Sequence, residues 1–195
     1  MSENIQTGLL FGSFNPIHKG HLKIATYMLD YEKLNEVWFV VSPHNPLKDK
    51  GMLVSKEQRL EMTRLAAAGK RRFKICDIEF TMPEPSFTID TLRLLRLKFP
   101  QNDFYLMIGS DNLQEFDKWK DYKSIINEFQ ILVYPRGINV QTNFDNYPNI
   151  KITNAPLINI SSTEVRQKIM LGKSIERLVP ASVNRYIINT GLYRE

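Results

Sequence analysis

The chain has 195 residues, 43% of them hydrophobic, which is enough for one globular domain with a core. Its formal charge of +5 favours anionic ligands but does not separate a phosphorylated metabolite from a nucleic acid. One cysteine excludes an internal disulfide and a cysteine-rich zinc site, and the apolar runs are too short to cross a bilayer. The N-terminus has no apolar signal core. We therefore expect a cytoplasmic protein and treat residues 1–195 as a single domain.

Short apolar runs alternate with amphipathic segments along the chain. The runs predict buried strands at 8–11, 36–41, 73–78, 103–109 and 130–135. Helical spacing predicts helices at 21–29, after Ser55, at 88–99 and at 111–129 with a break near Trp119, followed by helices after Ser161 and from Pro180. This alternation predicts an α/β fold, a doubly wound parallel sheet with helices on both faces and a helical C-terminus.

The loop after the first predicted strand, GSFNPIHKGH at 12–21, contains two of the three histidines of the chain. In a doubly wound sheet this loop lies beyond the carboxyl ends of the strands, where ligands bind. Gly12 and Gly20 permit close backbone approach, and a helix with free N–H groups begins near His21. The combination predicts a phosphate site, in which His18 and His21 stabilise negative charge on a phosphoryl group during its transfer.

Two other roles for the histidine pair are open. A metal would need three or four ligands, yet the only other histidine is His44, and no acidic residue lies between positions 11 and 24. We therefore assign no metal to protein ligands. Alternatively, the two histidines only cap or pack the start of the helix.

Two segments resemble the signatures of a known superfamily. GSFNPIHKGH is similar to the G-x-F-[DN]-P-x-H-x-G-H signature of nucleotidyltransferases, and ISSTEVR, about 140 residues later, is similar to their I-S-S-T-x-x-R signature. Three further segments, PSFTIDTL, GSDNLQEFDKWKDY and LVPASVNRYIINTGLY, resemble those of bacterial nicotinate-nucleotide adenylyltransferases. The resemblance spans nearly the whole chain.

The resemblance implies a Rossmann-like fold and an enzyme of NAD biosynthesis. Such an enzyme transfers the adenylyl group of ATP to nicotinate mononucleotide, giving deamido-NAD and pyrophosphate, with Mg²⁺ held mainly by the ATP phosphates. His18 and His21 are the implied catalytic residues, and Asp111 matches an aspartate that binds the adenosine ribose. The implied ATP-binding residues are Gly12, Ser13, Phe14, His18, His21, Asp111, Ser161, Ser162, Thr163 and Arg166.

The same resemblance implies an acceptor site built from four residues. Lys48 would meet the phosphate of the mononucleotide, and Trp119 would stack on its pyridine ring. Thr88, with backbone donors near Trp119 and Lys120, would face the pyridine carboxylate.

The sequence departs from the family pattern in places. Leu47 stands where the family has a histidine before the lysine, which leaves the role of His44 open. Phe87 replaces the usual tyrosine, and the order YPRG gives Arg136 little weight as a site residue.

Other functions remain as alternatives. The acceptor could instead be nicotinamide mononucleotide or another phosphorylated compound such as phosphopantetheine, or the reaction could transfer a cytidylyl group. A non-catalytic nucleotide- or RNA-binding module should show aromatics interleaved with Lys and Arg, which the sequence lacks. We expect ATP and nicotinate mononucleotide as partners, without nucleic acid or membrane. A homo-oligomer is compatible with the sequence.

Overall fold

The computed structural model describes residues 4–43, 53–137, 144 and 147–194. The strands are β1 (Ile5–Gly12), β2 (Glu36–Val41), β3 (Phe73–Cys76), β4 (Asn102–Gly109), β5 (Gln130–Tyr134) and β6 (Ile150–Ile152). The helices are α1 (Lys19–Tyr31), α2 (Lys56–Ala67), α3 (Thr88–Lys98), α4 (Ser110–Gln114), α5 (Tyr122–Glu128), α6 (Ser162–Met170) and α7 (Ala181–Thr190). Short 3-10 helices occupy Ile78–Thr81 and Phe116–Lys118.

The strands form one six-stranded parallel sheet in the order β3-β2-β1-β4-β5-β6. The chain builds outward from β1 on one side to β3, then returns to the other side of β1 at β4. The order therefore reverses between β1 and β4, and in such sheets a crevice opens at the carboxyl ends of those strands. Described residues that follow β1, β2 and β4 line this crevice.

Helices cover both faces of the sheet. On one face the apolar sides of α1, α2 and α7 pack against the sheet through residues such as Met28, Met62 and Val183. On the other face α3, α4 and α5 form a second apolar cluster with Leu92 and Ile125 among its buried members. The sequence prediction of a doubly wound sheet is confirmed.

Most of the predicted elements are present, with shifted ends. The predicted break in the helix at 111–129 is real, because a 3-10 turn ending at Lys118 separates α4 from α5. The third strand is shorter than predicted and stops at Cys76, since residues 78–81 form a 3-10 helix. The edge strand β6 was not predicted, because three residues give no readable alternation. No helix in the described ranges has the length and apolarity that a membrane span requires.

Candidate active site

A cavity of about 680 Å³ lies at the carboxyl ends of the central strands, which is within the usual size range of ligand sites. Nine of the ten residues predicted to bind ATP line it, and the exception is Asp111. Three of the four predicted acceptor residues also line it. The fourth, Lys48, lies outside the described residues, as does His44. Segments far apart in the sequence thus meet in one cavity.

The loop after β1 has a constrained conformation. Phe14 has a φ of 46°, in the left-handed region that few non-glycine residues adopt, and its ring is buried. The ring packs edge-on against His21 and Phe39, with centroid distances of 5.1 and 5.8 Å. A Cβ at Gly12 would lie 2.8 Å from the Phe14 ring, so Gly12 makes room for that ring. This packing fixes the loop beneath the histidine pair.

The two histidine rings stack on each other. Their centroids are 3.7 Å apart with an interplanar angle of 22°. The backbone N–H of His18, the residue before α1, donates to Nδ1 of His21 at 3.2 Å. Because Nδ1 accepts this bond, the neutral His21 ring carries its hydrogen on Nε2. His21 thus caps the helix start, as the alternative interpretation predicted, while it also lines the cavity.

His18 is buried and uncharged. Its side chain lines the cavity although the residue is only 3% exposed, and its Nδ1 atom makes no hydrogen bond in the described structure. Burial and the positive charge of Arg136 lower the pKa of His18 to about 3. A Cβ at Gly20 would lie 2.8 Å from that Nδ1 atom. Gly20 therefore makes room for the imidazole, where the sequence had suggested room for a ligand.

The N-terminus of α6 is joined to the first loop. Ser162 Oγ donates to the carbonyl of Pro16 at 2.9 Å, and Arg166 Nη1 donates to the carbonyl of Asn15 at 2.8 Å. Ser161 caps α6, since its Oγ accepts the N–H of Glu164 at 3.1 Å. The two signature segments are therefore in direct contact, and both place polar groups on the same cavity.

Asp111 and Arg136 form an ion pair beside the cavity, with Arg136 Nη1 donating to Asp111 Oδ2 at 3.2 Å. Arg136 lines the cavity, although its sequence context gave it little weight. The hydroxyl of Ser110 accepts the Arg136 N–H at 2.7 Å and donates to the Arg136 carbonyl at 3.0 Å. A Cβ at Gly109 would lie 2.3 Å from Asp111 Oδ1, so this glycine permits the arrangement.

The predicted acceptor residues lie together at the other part of the cavity. Thr88 begins α3, whose N-terminus has no side-chain cap. The ammonium of Lys120 lies 4.7 Å from the centroid of the Phe87 ring and donates to Asp90 Oδ2 at 2.9 Å. These contacts hold the 119–120 segment against the start of α3. The half-buried Trp119 packs on the apolar cluster beneath it while also lining the cavity.

A buried carboxylate supports this half of the site. Glu79 accepts hydrogen bonds from Ser86 Oγ at 2.9 Å and Thr91 Oγ1 at 2.8 Å. Burial raises the pKa of Glu79, and the hydroxyl donors oppose that rise. The residue joins the loop before α3 to the helix itself. Sequence reasoning missed it, although an acidic residue between Ile78 and Phe80 was a signal for a buried polar contact.

The C-terminal segment also supports the site. The hydroxyl of Tyr193 donates to Asn15 Oδ1 at 2.7 Å, and the same oxygen accepts the N–H of Val54 at 3.4 Å. Burial raises the pKa of Tyr193, so its hydroxyl remains a donor at neutral pH. The sequence had marked this tail only through its resemblance to the family. Its contact with the first loop could be identified only from the folded structure.

A family model for cytidylyltransferase-like proteins matches residues 9–168. The match covers both histidines and the whole second signature, and it extends over most of the chain. The chain therefore belongs to the cytidylyltransferase-like family of nucleotidyltransferases.

Relatives and solved structures narrow this class. A probable nicotinate-nucleotide adenylyltransferase of Azobacteroides pseudotrichonymphae genomovar. CFP2 is 47% identical over 186 residues, covering 95% of this chain and 97% of the relative. One of the same name from Flavobacterium psychrophilum is 44% identical over 194 residues, covering 98% and 100%. The predicted resemblance to the nicotinate-nucleotide adenylyltransferases is confirmed.

A solved structure confirms the fold. The structure of Plasmodium falciparum nicotinic acid mononucleotide adenylyltransferase complexed with NaAD superposes with a TM-score of 0.81. It is 21% identical in sequence, and the alignment covers 96% of this chain and 97% of that one. The doubly wound sheet is thus the fold of the compared enzyme as well.

The lowered pKa of His18 predicts a pH-dependent stability. Near neutral pH this ring takes up a proton readily only in the unfolded protein. The contribution of the neutral ring to the free energy of unfolding is therefore complete above the unfolded pKa near 6.5 and is lost as the pH falls below that value. Between pH 7.5 and 5 the free energy of unfolding should fall by about 2 kcal/mol more in the wild type than in His18→Asn. Denaturant titrations at the two pH values measure this, and equal pH dependence in both proteins would contradict a buried neutral ring.

Proposed function

We propose that this chain transfers the adenylyl group of ATP to nicotinate mononucleotide, giving deamido-NAD and pyrophosphate, and that residues 1–195 act as one catalytic domain. One observation carries the proposal: a single cavity is lined by both nucleotidyltransferase signatures and by the segments that resemble the pyridine-binding part of the family. The activity for which the relatives are named agrees with it. A cytoplasmic location, where ATP is available, completes the proposal.

The reaction requires no general base. An oxygen of the acceptor phosphate is already negatively charged, and it attacks the α-phosphorus of ATP. The new P–O bond forms as the bond to pyrophosphate breaks, so the leaving group takes the electron pair. What remains for the protein is to align the two phosphates and to stabilise the charge that develops on the leaving group.

The histidine loop and α6 suit the ATP half of this task. His21 presents an Nε2 donor, and His18 is the second imidazole that lines the cavity beside the proposed phosphate position. Arg166 supplies a fixed guanidinium, because Nη1 is already anchored on Asn15. The N-terminus of α6, beginning at Ser162, adds N–H groups with a favourable dipole. Asp111 would accept a hydrogen bond from the adenosine ribose.

The other half of the cavity suits an aromatic acid. Trp119 offers a flat ring for stacking on the pyridine. The uncapped N-terminus of α3 at Thr88 favours a carboxylate through its N–H groups and dipole. Lys120 places a positive charge close by, although Asp90 partly balances it. Lys48, which lies outside the described residues, is proposed to bind the phosphate of the acceptor. This arrangement favours the acid over the uncharged amide.

Members of this family generally use a divalent metal with ATP. No cluster of three His, Cys, Asp or Glu side chains able to hold a metal occurs in the part of the chain that is described. A site without such a cluster fits a metal that is held mainly by phosphate oxygens. We therefore propose that the substrate is Mg–ATP. The bound ion would offset charge on the phosphates, and the residues that would face this complex are His18, His21 and Arg166.

The direct test is pyrophosphate release by the purified protein with Mg–ATP and each candidate acceptor. We expect rapid turnover with nicotinate mononucleotide and much slower turnover with nicotinamide mononucleotide or phosphopantetheine. Turnover that prefers the amide would overturn the assigned acceptor. Binding of ATP without turnover on any acceptor would instead favour the non-catalytic alternative.

The His21→Ala substitution tests the ATP half. We expect kcat to fall on the order of 10²-fold or more, because one preorganised donor to developing charge is removed. His21→Asn keeps a donor of similar size and should retain more activity. Steady-state kinetics on folded protein measure both variants, and a wild-type kcat in His21→Ala would contradict the assigned role.

The Trp119→Ala substitution tests the acceptor half. Loss of stacking should raise the KM for the mononucleotide while the KM for ATP stays close to that of the wild type. Trp119→Phe, which retains a ring over Phe116, is the matched control and should show a smaller rise. If Trp119→Ala only lowers the melting temperature and leaves both KM values unchanged, Trp119 is a core residue and not a substrate contact.

A further inference from the structure

Arg59 is a charged residue in a core position. It lies in the first turn of α2 and is 1% exposed, which makes it one of the largest fully buried side chains in the described structure. It shares the buried face of the helix with Met62, Thr63 and Ala66. Burying a guanidinium is costly unless its N–H groups find partners. The burial of a charged side chain here therefore requires an explanation, whereas the burial of an apolar side chain would not.

Within the described residues, every hydrogen bond of the Arg59 guanidinium goes to a backbone carbonyl. Nη1 donates to Ser13 at 2.8 Å and to Ser42 at 2.6 Å. Nη2 donates to Pro43 at 2.6 Å, and Nε donates to Val54 at 3.1 Å. One planar group thus joins three segments: the loop after β1, the loop after β2, and the residues immediately before α2.

The charge of Arg59 has no carboxylate partner among the described residues, since none of their ion pairs includes it. Burial lowers the pKa of the guanidinium, but arginine remains protonated because its usual pKa is so high. Four backbone carbonyls surround the guanidinium, and the negative charge of Glu57 also acts on it.

The anchored loops are those that line the site. Ser13 and Ser42 both line the cavity, and a single Nη1 atom binds both carbonyls. Ser13 belongs to the loop that carries the histidine pair. Pro43 and Val54 flank the segment that contains Lys48. Arg59 is thus bonded to the ATP side of the site and to both ends of the segment proposed for the acceptor phosphate.

We propose that Arg59 is a positioning residue for adenylyl transfer, which holds the loop after β1 at a fixed separation from the residues that flank the segment proposed for the acceptor phosphate. The inference rests on the proposed function, because it is the in-line meeting of two phosphates that requires this separation. Lysine cannot replace the group: its ammonium is a point donor and lacks the planar fork that reaches three segments. Misplacement by about 1 Å can cost on the order of 10²-fold in rate.

Arg59→Lys is the principal test. It keeps the charge and most of the volume, and we expect a folded protein whose kcat/KM falls on the order of 10²-fold, with KM raised for ATP and for the mononucleotide. Arg64→Lys is the matched control, since Arg64 lies on the same helix but is half-exposed and pairs with Asp77 on the surface. We expect wild-type kinetics from that control.

Chemical rescue separates positioning from a structural role. In Arg59→Ala, millimolar ethylguanidinium should restore part of the activity, whereas ethylammonium should not. Wild-type values of kcat and both KM in Arg59→Lys would overturn the proposal, as would a loss of activity that matches only the unfolded fraction. Should the wild type fail with every acceptor, the proposed function fails, and ATP affinity measured by calorimetry still decides the role of Arg59: unchanged affinity in Arg59→Lys overturns it.

Discussion

The position of β1 between β2 and β4 is the constraint on which the site depends. Because the strand order reverses there, the loops after these strands diverge and leave a crevice at their carboxyl ends. The histidine loop leaves β1 directly into this crevice, and α6 closes it through hydrogen bonds to Pro16 and Asn15. Residues separated by more than half of the chain line one cavity because the sheet brings their loops to the same edge.

The electrostatics of the cavity suit an anion that arrives from solution. Arg136 and Arg166 line it, while His18 stays neutral because burial and the Arg136 charge oppose its protonation. A polyphosphate would supply the missing negative charge and would favour a proton on the imidazoles. Under the proposed function, these groups would stabilise the charge that develops on the leaving pyrophosphate.

The sequence predicted the layered fold and most of the cavity, because apolar runs and two signature segments are local patterns. It did not predict contacts that depend on the fold. The local context of Arg136 gave it little weight, and its place on the cavity and its pair with Asp111 depend on the fold. Arg59 and Glu79 did carry a signal, which is a charged residue at an apolar position. Their hydrogen-bond partners lie as far as 46 residues away in the sequence for Arg59 and 12 for Glu79. Such partners can be assigned only when the loops are in place.

The proposed function depends above all on the triphosphate of ATP binding between the histidine pair and the start of α6. A crystal structure with a non-hydrolysable ATP analogue and Mg²⁺ tests this directly. We expect phosphate oxygens within hydrogen-bond distance of His18, His21 and the N-terminal turn of α6, with the ribose beside Asp111. A nucleotide bound elsewhere, with the histidine loop unengaged, would contradict it.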